Sequence, residues 1–600
     1  MKARISLLSL LILGLVLAPS AHGIKAYAEK SKYTMWVKLD EESLKLDCNL
    51  TFEYFNSESE PIGELYFHIY PNAFIEHGGK LVVHGVASSR GALEYSIEGS
   101  DRTVLHVVLD REVKPGEVHE ILVNFTVYIP EKPDRFGYNR GIFALGNWYP
   151  ILAVYDDEGW NLDPYYPHGE SFYSEVADYE VYLIVPQGVT VAATGSLVEE
   201  RRLGGSVVQH WKAVDVRDFA MTCSRYYTML EDTALNGRVR VISYFLPEDE
   251  IGGKAALEAA VKAVNAYSSL YGDYPFRELR VAETGGWFGG MEYPQIVFIS
   301  SRLYDRSDLI LEYVVAHEVG HQWWYSAVGN DENDEPWLDE GLTEFSTVMY
   351  FEWNYGRDYA EKVFDRMVRE DYYRFLDRRG DLPVARPVTF FGDDTQAYYT
   401  IVYSKGAFIL WYLRHVVGDK LFFDGMREFY RRYRFKVATI EGFKETLEEV
   451  FGMSLNWFFE DWVYSSGIPS YSIRGGSLAQ LGEITVVQFQ IYRAGRQRAL
   501  IPFVLEASEK VVYSGVANVS SSITVVEVAV NGSFERIVLK LDPQDIVPGR
   551  SNPTVVITKG EAKVEYTAVA ERDRKLRSPL AVAAASSVLL VLMLRYRRVK

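Results

Sequence analysis

The stretch His317-Glu-Val-Gly-His321-Gln-Trp-Trp324, followed by Glu335-Pro-Trp-Leu-Asp-Glu-Gly341, sets two histidines four positions apart, with eighteen residues between the second and Glu340. Positions four apart share one face of a helix, so His317 and His321 can point at a single ion. The surroundings read as that helix. Ser307 is a candidate N-cap with Asp308 in the first turn. Ile310, Tyr313, Val314, His317, His321 and Trp324 then keep a three-and-four spacing. Glu340 opens a second predicted helix behind Pro336, a residue suited to a first turn. A lone inward histidine is usually a satisfied core residue. Two at this spacing with a matched carboxylate make a set of metal ligands. Glu318, one step round the helix, can reach a water on that ion. Glu344, one turn after Glu340, can bond the second ring nitrogen of a ligand histidine; the competing reading is a solvated helix glutamate.

Two histidines and one carboxylate leave a coordination position open. That pattern belongs to catalytic zinc, whereas structural zinc is usually closed by four ligands rich in cysteine. Only Cys48 and Cys223 are present, both far from the motif. Two nitrogens and one oxygen in tetrahedral array favour zinc over other divalent ions. Zinc lowers the pKa of a bound water to about 7. Glu318 would take its proton and later deliver it to a leaving amine. The chemistry this supports is amide hydrolysis.

Composition bounds the rest. The 600 residues are 48% hydrophobic and 14% aromatic, which describes several globular domains with real cores. A net charge of −19 argues against a nucleic-acid partner. Two cysteines exclude a disulfide scaffold; a Cys48–Cys223 bridge competes with two buried free thiols. Residues 1–23 read as an export signal: Lys2 and Arg4, an apolar run Ile5–Leu17, then small residues to Gly23. Near the other end, residues 578–594 contain an apolar run, Pro579–Leu594, with Arg595-Tyr-Arg-Arg598 and Lys600 behind it. As a helix that run rises about 24 Å, somewhat short of the roughly 30 Å hydrocarbon core, and flanking basic residues extend its reach. The expectation is an exported cell-surface protein with one C-terminal transmembrane helix and a cytoplasmic tail, residues 595–600. The alternative is a tail removed by a sorting enzyme. Sequons at Asn49, Asn124, Asn518 and Asn531 agree with export.

Between these ends the pattern changes twice. Residues 24–244 hold short alternating runs such as Tyr33–Leu39 and Tyr179–Val185, which predicts an N-terminal β domain. Residues 245–470 are mainly helical, apart from a strand region near Leu279–Ile299. Alternation returns in residues 471–570, as in Ile484–Ile491, and predicts a small C-terminal β-sandwich. The fold class is a multidomain α+β protein.

These residues resemble the aminopeptidase N family of zinc metallopeptidases, the gluzincins. The metal motif and its spacing match, as do Gln322-Trp323, Trp337-Leu338 and Gly341. Gly289-Gly-Met-Glu-Tyr293 is similar to the family's exopeptidase signature, Gly-x-Met-Glu-Asn. Tyr403-Ser-Lys-Gly-Ala407 is similar to the segment carrying its catalytic tyrosine. The resemblance implies a thermolysin-like catalytic domain between the two β domains, and peptides with a free N-terminus as substrates. It implies that Glu292 binds the substrate amine, with Gly289, Gly290 and Met291 lining an extended substrate. It implies that Tyr403 donates to the oxyanion. A carboxylate beside the metal pairs with an ammonium and so holds the first peptide bond over the ion. Tyr293 and Pro294 depart from the signature, which bears on the shape of the first substrate pocket. Glu170 and Glu175 are weak candidates for a second amine-binding residue.

The expected function is thus a zinc aminopeptidase. The alternatives are a zinc endopeptidase of the same fold, should Tyr293 weaken amine capture, and a non-catalytic surface scaffold. The presence of His317, Glu318, His321, Glu340 and Tyr403 together speaks against the scaffold. An epoxide hydrolase has no separate support, and a solute-binding surface protein leaves the metal motif unexplained.

Overall fold

Alternation does build the N-terminal part. In strand Lys32–Asp40 every second residue is buried, and these are Tyr33, Met35, Val37 and Leu39. The strand lies inside an eight-stranded sheet, between Lys45–Phe55 (antiparallel) and Ala177–Pro186 (parallel). Two four-stranded sheets share its core. Cys48 and Cys223 are both buried free thiols in that core. The computed structural model describes residues 30–566 except 168, 170–171, 306–308, 550–552 and 560. The export signal, the 578–594 segment, the 595–600 tail, the Ser307 cap and Glu170 lie outside the described residues. Among those residues no helix is long and apolar enough to cross a membrane.

The helical domain is built on a five-stranded sheet ordered Thr228–Ala234, Val239–Phe245, Glu278–Thr284, Ile296–Ser300 and Gly290–Met291. Its three middle strands are parallel, and the short Gly290–Met291 edge strand is antiparallel. The sheet therefore begins at Thr228, ahead of the expected start at 245. Thr228–Ala234 and Val239–Phe245 read as β-hairpin sequence, and only their pairing with Glu278–Thr284 assigns them to this unit. Period two sorts the central strands between two cores. Val241, Val281, Val297 and Ile299 pack into the helical core, whereas Ile242, Ala282, Ile296 and Phe298 join the N-terminal core. A sheet covered on both faces has strands apolar on both sides, which is why this region reads as continuous hydrophobic runs.

Beyond the helices, Ser470–Leu481, Ile484–Ala494 and Ile523–Asn531 form one sheet. Five further strands, from Ala499–Ala507 to Glu561–Tyr566, form a second. Their buried faces share one continuous core with the helical domain.

Candidate active site

The first motif helix runs Leu309–Gly320 and stops there. His321 stands one residue past the end, its N–H still reaching the His317 carbonyl at 3.3 Å. Trp324 therefore belongs to the following turn, not to the helix face that its spacing suggests. The second motif helix, Trp337–Tyr355, has Pro336 at its N-cap. It crosses the first closely because Gly320 offers no side chain; a Cβ there would meet Thr343 Cγ2 at 3.0 Å.

This crossing brings the three expected ligands together. Glu340 Oε2 lies 3.2 Å from His317 Nε2 and 3.4 Å from His321 Nε2. Donors about 2.0–2.1 Å from one tetrahedral ion are about 3.3 Å apart, so the three side chains fit a single zinc-sized cation. The opposite ring nitrogens are held from behind. His317 Nδ1 meets Glu344 Oε2 at 3.1 Å. His321 Nδ1 meets Asp339 Oδ1 at 2.5 Å and the Trp324 carbonyl at 3.1 Å. Tyr313 donates its hydroxyl to Glu344. Asp339 and Tyr313 were not read from sequence as partners of the site, and a cue existed only for Asp339, which adjoins Glu340.

The electrostatics of the three groups favour positive charge between them. Burial works against charge on both imidazoles, yet Glu340 and Glu344 raise His317 to about 9. Asp339, Glu292 and Glu340 raise His321 well above its usual range in the same way. Burial would raise Glu340, but His321 and His317 prevail and hold it near 2. A divalent cation held by these groups would displace protons from the imidazoles.

The other expected residues line the same cavity, of about 170 Å³. Glu318 is buried and faces the edge strand; a Cβ on Gly290 would sit 2.3 Å from its Oε1, so Gly290 makes room for this carboxylate. Gly289 and Gly290 line the cavity, whereas Met291 turns into the N-terminal core. Glu292 is buried, and one of its carboxylate oxygens lies within 4.8 Å of donor atoms on His321 and Glu340. Gln322 fixes this strand: its amide donates to the Tyr293 carbonyl at 3.0 Å and its Oε1 accepts from the Gln295 N–H at 2.8 Å. Tyr293 points away from the cavity. Its ring is fully buried against Phe298, and its hydroxyl occupies the space a Cβ on Gly146 would need. The departure from the signature thus lies in the domain interface. Glu175 is not brought here; it lines a separate cavity beside Arg217 and Lys436.

Tyr403 stacks on His317 with ring centres 5.8 Å apart, and its hydroxyl donates to Glu340 Oε1. It stands in a π-helical stretch, Tyr399–Lys405. Such wide turns recur at functional sites, and spacing rules do not reveal them. Lys405 anchors the stretch from below through Asp381 Oδ2 at 2.8 Å and the Leu382 carbonyl at 2.6 Å.

Fold and site together define a metallopeptidase-type domain: a mixed sheet, two crossed helices bearing two histidines and a glutamate, and a cavity in front of them. Residues 255–462 match the peptidase family M1 domain. This match is consistent with the aminopeptidase N family that the motifs resemble. The chain is 28% identical to a probable aminopeptidase 2 of Sulfurisphaera tokodaii over 39% of this chain and 31% of that one. It is 30% identical to a glutamyl aminopeptidase of Sus scrofa over 27% of this chain and 17% of that one. The crystal structure of Legionella pneumophila aminopeptidase A in complex with aspartic acid shares the fold, with a TM-score of 0.64 and 17% identity over 88% of this chain and 59% of that one. The matched stretch thus spans less than a third of either curated relative.

Proposed function

We propose that this protein is a zinc-dependent aminopeptidase that removes N-terminal residues from peptides outside the cell. The observation that carries the reading is the seat of Glu292. A buried carboxylate within 4.8 Å of donor atoms on His321 and Glu340 can pair with only a short reach of substrate. An α-ammonium held there leaves room for one residue before the scissile bond. His317, His321 and Glu340 would hold zinc, which supplies Lewis acidity to an attacking water and to the scissile carbonyl. Glu318 accepts the proton of that water and passes it to the leaving amine. Tyr403, already at the ligand carboxylate, donates its hydroxyl to the developing oxyanion. The N-terminal domain closes the far wall with Arg135 and keeps bulk water from the reacting groups. Surface location rests on the export-type N-terminus and the apolar 578–594 segment; protease shaving of intact cells should release the catalytic domain.

The test is a panel of aminoacyl amides with free and acetylated amines, assayed with and without a chelator. Free amines should be cleaved and acetylated ones spared, with activity lost to the chelator and restored by zinc. Glu318→Gln should keep its zinc and lose about 10³-fold or more in turnover. Equal cleavage of blocked and unblocked substrates would remove the aminopeptidase assignment.

A further inference from the structure

The cavity extends past the metal-facing groups, and its two ends are built by different elements. Glu292 stands on the His321 side, grouped with His321 and Glu340. One cavity arginine, Arg135, packs at that end on Phe288, beside the Gly290–Met291 strand. The opposite side is built by the helical segment Asp365–Arg379, whose Arg366, Met367, Asp371 and Arg374 all face the cavity. This segment is fixed to the Tyr403 stretch: Asp371 Oδ2 accepts from Thr400 at 3.3 Å and from Ser404 at 3.4 Å. Because Tyr403 stacks on His317, the arginines lie on the His317 side, across the ligands from Glu292.

A substrate whose amine is fixed at Glu292 must run out past His317, so its remaining residues leave along this arginine-bearing wall. Arg374 is oriented by its Nε, which donates to the Glu370 carbonyl at 3.1 Å, and by a longer contact to Asp371 at 3.5 Å. Arg366 is exposed and makes no hydrogen bond or ion pair among the described residues. In a chain of net charge −19, two arginines on the exit wall are a selective feature. A guanidinium fork suits a carboxylate better than an ammonium point charge does.

We propose that Arg366 and Arg374 form a carboxylate-binding subsite on the leaving side of the scissile bond. The inference rests on the aminopeptidase reading above. The carboxylate is either the C-terminus of a short peptide or an acidic side chain beyond the first residue.

The test uses the zinc-loaded full chain and two substrate pairs. Ala-Ala-Ala against its C-terminal amide reads the terminal carboxylate. Ala-Glu-Ala amide against Ala-Gln-Ala amide reads an acidic side chain. The parent should favour the carboxylate member of at least one pair by about tenfold in kcat/KM, less so as salt is raised. Whichever pair shows the preference names the source. Arg366→Ala with Arg374→Ala should bring that ratio close to one. Arg366→Glu should invert it, and Arg366→Lys should keep part of it. The ratio is internal to one preparation, so partial misfolding does not produce the effect. Cleavage of all four peptides without discrimination, or a ratio that survives the double substitution, overturns the subsite alone. No hydrolysis of any free-amine substrate overturns the aminopeptidase reading and the subsite with it.

Discussion

Asp339 and Glu344 each take the Nδ1 nitrogen of one ligand histidine and so leave Nε2 as the atom that faces the cavity. This fixes the tautomer needed for metal ligation and makes each imidazole a better donor. Asp339→Asn and Glu344→Gln should each weaken zinc binding by about 10–100-fold while leaving the fold intact, which a competition titration with a chromogenic chelator measures. Unchanged affinity in both variants would show that packing alone orients the rings. At this scale the sequence was legible where chemistry fixes both residue type and spacing, as for His317, Glu318, His321 and Glu340. Glu344 was legible as one of two readings. Tyr313 was not, because its contact with Glu344 depends on how two helices cross. Arg366 and Arg374 read as ordinary helix arginines until the cavity is seen.

The elements explain why motif glycines accompany motif donors. Gly341 and Gly406 meet face to face: a Cβ on Gly406 would lie 2.6 Å from the Trp337 ring and 3.2 Å from the Gly341 Cα. Their contact lets helix Gly406–Val417 and the preceding π-helical stretch approach the second motif helix, which carries the Tyr403 hydroxyl to Glu340. Gly406→Ala sets two effects against each other. Alanine gains about 0.5–1 kcal/mol in a helix interior, whereas a wedge against a rigid indole costs about 1–3 kcal/mol. The clash should win. A melting temperature lowered by a few degrees and a reduced kcat at normal zinc content are expected, and a variant as stable and active as the parent would refute the close-approach argument. Elements were partly legible. Alternation gave strands such as Lys32–Asp40, and three-and-four spacing gave the first motif helix. Its end at Gly320 was missed because the apolar spacing runs on through a turn to Trp324. The ownership of Thr228–Ala234 and Val239–Phe245 was missed because strand partners are set by long-range pairing.

On the scale of the whole molecule, the N-terminal domain grips the turn that follows the metal motif. Tyr325, in that turn, has φ of 138°, a strained value for a residue with a side chain. Arg217 holds it from the N-terminal domain, with Nε donating to the Tyr325 carbonyl and Nη2 to the Lys436 carbonyl, both at 2.6 Å. Gly329 leaves the space for this guanidinium, since a Cβ there would lie 2.1 Å from Arg217 Cζ. The Tyr325 hydroxyl donates to Asp218, which is fully buried. Burial raises the Asp218 carboxyl from 3.8 to about 7, against the hydrogen bond from Tyr325 and the charge of Arg217. The sign follows from which state holds the proton. Between the ordinary carboxylate range and about 7 the folded protein keeps this proton and the unfolded chain has released it, so stability falls as pH rises through that window and levels off above it. At about 1.36 kcal/mol for each pK unit, the ceiling is about 4 kcal/mol. Asp331, also raised to about 7 by burial, adds in the same direction. The urea midpoint should therefore decline from pH 5 to pH 8. Asp218→Asn still accepts from Tyr325 but has no proton to lose, so its decline should be shallower than the parent's. A variant whose midpoint tracks the parent at every pH would mean that Asp218 is not the group that couples the two domains to pH.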